Sequence, residues 1–154
     1  MKKELETIYS IVRESKTIYV TDQTAQRYKI DGSNKAFEIF KLLIGEDVEL
    51  KEIFYIMLLN KANNVLSVQK IGESSQAGCV IDNRIILKSA CDLLASSVII
   101  CHNHPSGNLK PSEPDLILTK KIKESLNLVD IKLLDHIIVA PNNKYFSFLD
   151  EGVI

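Results

Sequence analysis

The residue types with the most chemical capacity lie in one stretch. It runs Cys101-His102-Asn103-His104-Pro105 and continues after a short gap as Pro111-Ser112-Glu113-Pro114-Asp115. His102 and His104 are two apart at the end of the apolar run Val98–Cys101. In an extended segment alternate side chains share a face, so both imidazoles point the same way. Two neutral imidazoles converging at a strand end are a natural half of a zinc site. The same parity sends Cys101 and Asn103 to the opposite face, which reads Cys101 as a core thiol and not a ligand.

Seven residues separate His104 from Ser112, enough for a loop to turn back toward the strand. Ser106-Gly107-Asn108 has the chemistry of the turn that folds it over. Ser112 is a good N-cap, Pro114 is tolerated in a first helical turn, and Asp115 falls at N3. Taken alone, Ser112 and Asp115 read as a capping box. With two histidines just upstream, Asp115 reads as a third metal ligand. Two His and one Asp match the catalytic zinc pattern of three protein ligands and a position kept for water. The implied chemistry is hydrolysis by a metal-activated water, with one zinc ion per chain.

Such a site needs a general base. Glu52 stands at the start of the apolar run Ile53–Leu59, where a solvated surface charge would serve equally well; Glu46, Glu49 and Glu73 are rivals. Asp135 and His136 sit inside another apolar run, where a charged pair needs partners. Either one of them orients a ligand imidazole, or His136 is a satisfied core histidine and Asp135 an edge or turn residue, the reading preferred for catalysis. Other zinc chemistries fit less well. Deaminases need His-x-Glu and a later Pro-Cys-x-x-Cys, both absent, and a barrel hydrolase would need about 250 residues.

The elements that must position these groups follow from periodicity. Asp31–Asn34 reads as a turn into a helix carrying Ala36, Phe37, Phe40, Leu43 and Ile44, ended by Gly45. Ile53–Leu59 and Val65–Ile71 read as a strand hairpin around Asn60–Asn64, with a polar loop at Gly72–Gly78. Asp82 caps a helix with the stripe Ile85, Ile86, Ser89, Ala90, Leu93 and Leu94. Ser97–Cys101 is a strand and His102–Pro111 a loop. The helix after Ser112 carries Leu116, Ile117, Thr119, Ile122 and Leu126. Ile131–Ala140 and Lys144–Leu149 are strands joined by a turn. Near the N-terminus, Leu5, Ile8, Tyr9 and Val12 fit a helical stripe, while their β-branched and aromatic neighbours favour extended structure. The pattern is α/β or α+β in three layers.

The chain has 154 residues, the size of one ordinary domain. A domain this long buries enough surface to fold without a disulfide or structural metal, which points any metal toward chemistry. Nineteen Lys+Arg against twenty Asp+Glu give a net charge of -1, so no bulk attraction to nucleic acid or anionic membrane is expected. Lys120, Lys121 and Lys123 read as a solvated helix face. The three cysteines, Cys79, Cys91 and Cys101, show no paired spacing and read as reduced, mostly buried thiols of a cytoplasmic protein. No apolar run is long enough to span a bilayer, and no apolar stretch follows the first lysines as a secretory signal requires.

The string His102-Asn103-His104-Pro105 with Ser112 and Asp115 resembles the JAMM (MPN+) metalloprotease motif, His-x-His-Pro followed by Ser-x-x-Asp. With Ser106-Gly107 and Leu134-Asp135-His136-Ile137-Ile138 it is similar in particular to the bacterial RadC-like branch, over residues 50–154. The resemblance implies a mixed, mostly antiparallel sheet flanked by helices in a three-layer, cytidine-deaminase-like architecture. It implies zinc held by His102, His104 and Asp115, and it matches the family's catalytic glutamate to Glu52; with that chemistry the hydroxyl of Ser112 is expected to donate to the developing oxyanion, alongside zinc. The implied activity is that of a peptidase or isopeptidase on a peptide or protein substrate, with a homodimer as a possible assembly. The family's DNA-repair label supplies the alternative, a DNA-associated protein, and a non-catalytic interaction module is the third reading. Full-length RadC proteins carry an N-terminal helix-hairpin-helix region. Residues 1–49 lack such a glycine-containing pair and are read as an extension packing on the domain.

Overall fold

The computed structural model describes residues 28–74 and 80–154. The ambiguous N-terminal stripe and Cys79 lie outside them. The elements are α1 (Ser33–Ile44), a 3-10 turn (Gly45–Glu49), β1 (Glu52–Leu59), β2 (Val65–Ser74), α2 (Asn83–Asp92), β3 (Ser97–Asn103), α3 (Glu113–Asn127), β4 (Lys132–Ala140) and β5 (Lys144–Ser147). The five strands form one sheet in the order β2-β1-β3-β4-β5. Only β3 and β4 run parallel, joined through α3; every other neighbouring pair is antiparallel. Among the described residues the sheet is therefore mixed and mostly antiparallel, flanked by three helices, as the resemblance implied.

Strand periodicity divides the core. Ile53 and Met57 of β1 and Ile99 and Cys101 of β3 face α1, packing against Ala36, Phe37 and Phe40. Phe54, Ile56 and Leu58 of β1 and Val98 and Ile100 of β3 face the other way, against Ile86 and Ala90 of α2 and Ile122 and Leu126 of α3. This is period-two alternation with both faces covered, which is why the strands read as continuous apolar runs. Burying each Val, Leu, Ile, Met or Phe side chain among them contributes about 1.5–3 kcal/mol. Gly45 ends α1 at φ +56, a conformation in which a Cβ would be strained.

Several boundaries differ from expectation. β2 continues through Ser74, because Gly72, Glu73 and Ser74 pair with Phe54, Ile53 and Glu52. β3 extends to Asn103, so His102 and Asn103 are strand residues held beside β4. β5 stops at Ser147. On α3 the buried stripe is Thr119, Ile122 and Leu126, while Leu116 and Ile117 turn outward. Ile85 of α2 is exposed, as is Leu94, which lies past the end of the helix at φ +49. Cys91 is exposed and Cys101 buried, so only the latter is a core thiol. Among the described residues, no helix is long and apolar enough to cross a membrane.

Candidate metal centre

The β3 register places the two histidines. His102 is the sixth residue of β3, 1% exposed, with Phe54 of β1 opposite it and Ile138 of β4 on its other side. His104 follows the strand, and its amide still donates to the Val139 carbonyl at 2.8 Å. Both side chains therefore emerge on the α3 face. Their Nε2 atoms lie 2.9 Å apart.

Asp115 reaches the same point from the first turn of α3. Ser112 and Asp115 form a reciprocal capping box. The Ser112 amide and hydroxyl both donate to Asp115 Oδ2, at 2.7 and 2.6 Å. The carboxylate is thereby aimed, with Oδ1 3.2 Å from His102 Nε2 and Oδ2 3.4 Å from His104 Nε2. Capping and ligation, set against each other by the sequence, are compatible: the cap orients the group that meets the imidazoles. His102, His104 and Asp115 thus form a group able to hold a metal ion.

The hydrogen-bond network assigns the ring protons. Thr119 Oγ1 donates to the Asp115 carbonyl at 2.6 Å, which leaves its lone pairs for the His136 Nδ1–H, also at 2.6 Å. Burial pushes the His136 imidazole well below the usual histidine range, so its Nε2 carries a lone pair. That nitrogen accepts from His102 Nδ1–H at 2.7 Å. On the other side, His104 Nδ1–H donates to the Asn108 carbonyl at 2.6 Å. The loop that presents Asn108 turns at Gly107, at φ +80. Both histidines consequently direct an unprotonated Nε2 at one point, where the Asp115 carboxylate also arrives. Lone pairs facing one another at 2.9 Å repel unless a cation lies among them. The donor set fits a divalent metal ion on that ground.

Electrostatics agree. Burial works to raise the Asp115 carboxyl, but His102 and His104 beside it and the Ser112 hydroxyl outweigh it and hold it well below the usual carboxylate range. The Asp115 carboxylate raises His104.

Glu52 stands at the start of β1 and is half-buried. It lines a groove of about 460 Å³ with His104, Ser106, Asn108, Lys110 and Ser112. Extending the β1–β3 register two positions past Phe54 and His102 brings Glu52 level with His104. Its rivals are placed elsewhere: Glu73 is spent on Lys51 and Lys70, at 3.3 and 2.7 Å, and Glu46 and Glu49 are exposed on the 3-10 turn. A larger cavity of about 610 Å³ lies at the opposite end of the sheet, near Ser97 and Lys132, without a histidine. Size does not mark the site here; the convergence of donors does.

The neighbours Asp135 and His136 part company. His136 supports His102, whereas Asp135 faces the α1 side. There Asp135 accepts from Ser147 Oγ at 2.6 Å, the Leu149 amide at 3.0 Å and its neighbour's amide at 2.7 Å. Asp135 is thus removed from the set that could orient a ligand, because strand alternation turns it away. Thr119 and Asn103 carried no site role in the sequence reading. Thr119 had a signal, a polar residue one turn after Asp115 within an apolar stripe.

The family model of the RadC-like JAB domain matches residues 30–153. A UPF0758 protein of Flavobacterium johnsoniae is 42% identical over 125 residues, which is 81% of this chain and 53% of that protein. A UPF0758 protein of Clostridium beijerinckii is 41% identical over 118 residues, 76% of this chain and 51% of that protein. The chain spans about half the length of the curated relatives it matches. The match takes in α1, the whole sheet and every residue of the centre, and the chain belongs to the RadC-like JAB domain family.

Proposed function

We propose that this domain is a zinc-dependent hydrolase acting on a peptide or isopeptide bond. The observation that carries the reading is the meeting of two unprotonated imidazole nitrogens and a carboxylate beside a groove that also holds Glu52. Zinc suits two nitrogens and one oxygen; when bound, it supplies Lewis acidity that polarises a carbonyl and acidifies water. The peptide class is what the family likeness adds.

The chain's own residues divide the remaining work. Glu52 takes a proton from the attacking water and returns it to the leaving nitrogen as the C–N bond breaks. His102 and His104 move no proton, since their Nδ1–H groups are held by His136 and the Asn108 carbonyl. Ser112 lines the groove, and its hydroxyl is engaged with Asp115. Donation to a developing oxyanion requires that this bond be exchanged for the new one, which would make it a transition-state interaction.

The test is metal quantification of purified protein followed by a peptide-pool cleavage screen, with a chelated control. The expected result is about one zinc per chain, cleavage abolished by the chelator, and a Glu52→Gln variant that keeps zinc but loses about 10²–10⁴-fold in turnover. Full turnover in Glu52→Gln removes the assigned base, and cleavage that survives chelation removes the metal.

A further inference from the structure

We infer that Asn103, the residue between the two ligand histidines, is a positioning residue for Glu52. The inference rests on the reading of Glu52 as the proton carrier. Asn103 is completely buried on the α1 face of the sheet, away from the metal centre. All its side-chain hydrogen bonds go to the backbone around Glu52. Asn103 Oδ1 accepts from the Ile53 amide at 2.8 Å, and Nδ2 donates to the carbonyls of Lys51 at 2.8 Å and Val48 at 2.9 Å.

The register explains why a side chain is needed there. Backbone pairing of β1 with β3 ends at Phe54 and His102, while β3 continues beside β4 to Asn103. The first two residues of β1 are thus paired with β2 alone. Left so, the Glu52 backbone would be fixed from one side only. The Asn103 carboxamide substitutes for the missing ladder bonds on the other side. It holds the residue before Glu52 by its carbonyl and the residue after by its amide. Alternation then sends the Glu52 side chain to the face that carries His102 and His104. A single strand end therefore fixes both halves of the site: His102 and His104 by their side chains on one face, and Glu52 through Asn103 on the other. A carboxamide suits the task because it offers an acceptor and two donors to backbone groups that would otherwise be buried unpaired.

Two variants test this. Asn103→Ala removes all three contacts, and Asn103→Ser keeps a hydroxyl able to serve part of them. In the zinc-loaded protein, amide hydrogen exchange at Ile53 is expected to accelerate at least about tenfold in Asn103→Ala and less in Asn103→Ser. Exchange at Met57 and Ile100 should not change, and about one zinc per chain should remain. On a peptide found in the cleavage screen, kcat should fall about 10–100-fold with KM within about twofold. In the Glu52→Gln background the same change should cost little further, because a residue acting through Glu52 is non-additive with it. Unchanged Ile53 exchange, loss of zinc, or an equal loss of kcat in both backgrounds would each overturn the assignment. Full turnover in Glu52→Gln itself sinks the assigned base instead, and the exchange result then still reports on the contact.

Discussion

The two faces of the sheet at the β3–β4 junction treat their buried polar residues in opposite ways. Asn103 and Asp135 point toward α1, and every polar atom they bury is met by a backbone group or a hydroxyl. His102 and His136, one step along the same strands, point toward α3. Their hydrogen bonds run in one direction and finish at an Nε2 lone pair with no proton donor facing it. Burial alone does not separate the two groups, since all four residues are at most 2% exposed. What separates them is whether the polar capacity is used up. A satisfied buried polar group contributes to the fold; convergent lone pairs left over are capacity for a ligand.

The sharpest way to break this contrast is to remove a group from the unsatisfied face. His104→Ala or Asp115→Ala should reduce bound zinc from about one per chain to near zero. The loss should exceed the roughly 100-fold that removal of an outer partner costs. Metal analysis after gel filtration checks it. Retention of zinc by either variant would mean that the donors do not act as one set. The satisfied face should answer differently. Asp135→Ala strands a buried hydroxyl and two amides and is expected to lower unfolding stability by about 2–4 kcal/mol, read as a denaturation midpoint. Its zinc affinity should stay within about twofold. A fall in affinity with no fall in stability would reverse the assignment of the two faces.

His136 sharpens the comparison further, because it is buried as deeply as Asp135 yet belongs to the site. His136→Phe keeps a ring between Phe54 and Phe148, the latter now stacked at 4.4 Å. It removes the acceptor that holds His102 Nδ1–H. Zinc affinity should fall about 10–100-fold, measured by competition with a chromophoric chelator. Thr119→Val, one bond further out, should cost less. An unchanged affinity in His136→Phe would return His136 to the role of a plain core histidine.

These outcomes also mark where the sequence was legible. Strand parity placed His102 and His104 together and Cys101 and Asn103 opposite, because a two-residue period is local. The helix start placed Asp115 at N3 for the same reason. The support of His102 by His136 depends on β3 and β4 lying parallel with Ile100 beside His136, across 34 residues of chain. No local pattern carries that offset. The contact of Asn103 with residues 48–53 likewise depends on where the β1–β3 ladder stops. Alternation could tell that Asp135 and His136 face opposite ways, but not which of them faces the candidate metal centre. Apolar type alone does not imply burial: Leu116 and Ile117 turn outward because of their position on α3.

The smallest expected effect concerns pH and the metal-free protein. Burial, with His102 and His104 beside it, lowers the folded His136 pKa well below the ordinary 6.5; Asp115 opposes them. As pH falls below about 6.5 the unfolded chain takes up a proton at His136 that the folded protein refuses. The unfolded state then binds more protons, so stability declines with falling pH and is level above that range. The slope from this one group is at most about 1.4 kcal/mol per pH unit. His104 works the other way, since Asp115 raises its folded pKa and that contribution is lost as pH rises. Burial raises Asp135, whose folded form takes up its proton first and gains stability as pH falls from its raised folded value toward the ordinary 3.8. Urea midpoints of chelated wild type and His136→Phe between pH 5 and 8 separate these terms. The variant should lose less stability than wild type on going from pH 7 to pH 5. An identical pH dependence in the two proteins would mean that His136 takes up a proton in the folded state, and the direction assigned to its hydrogen bond with His102 would fail with it.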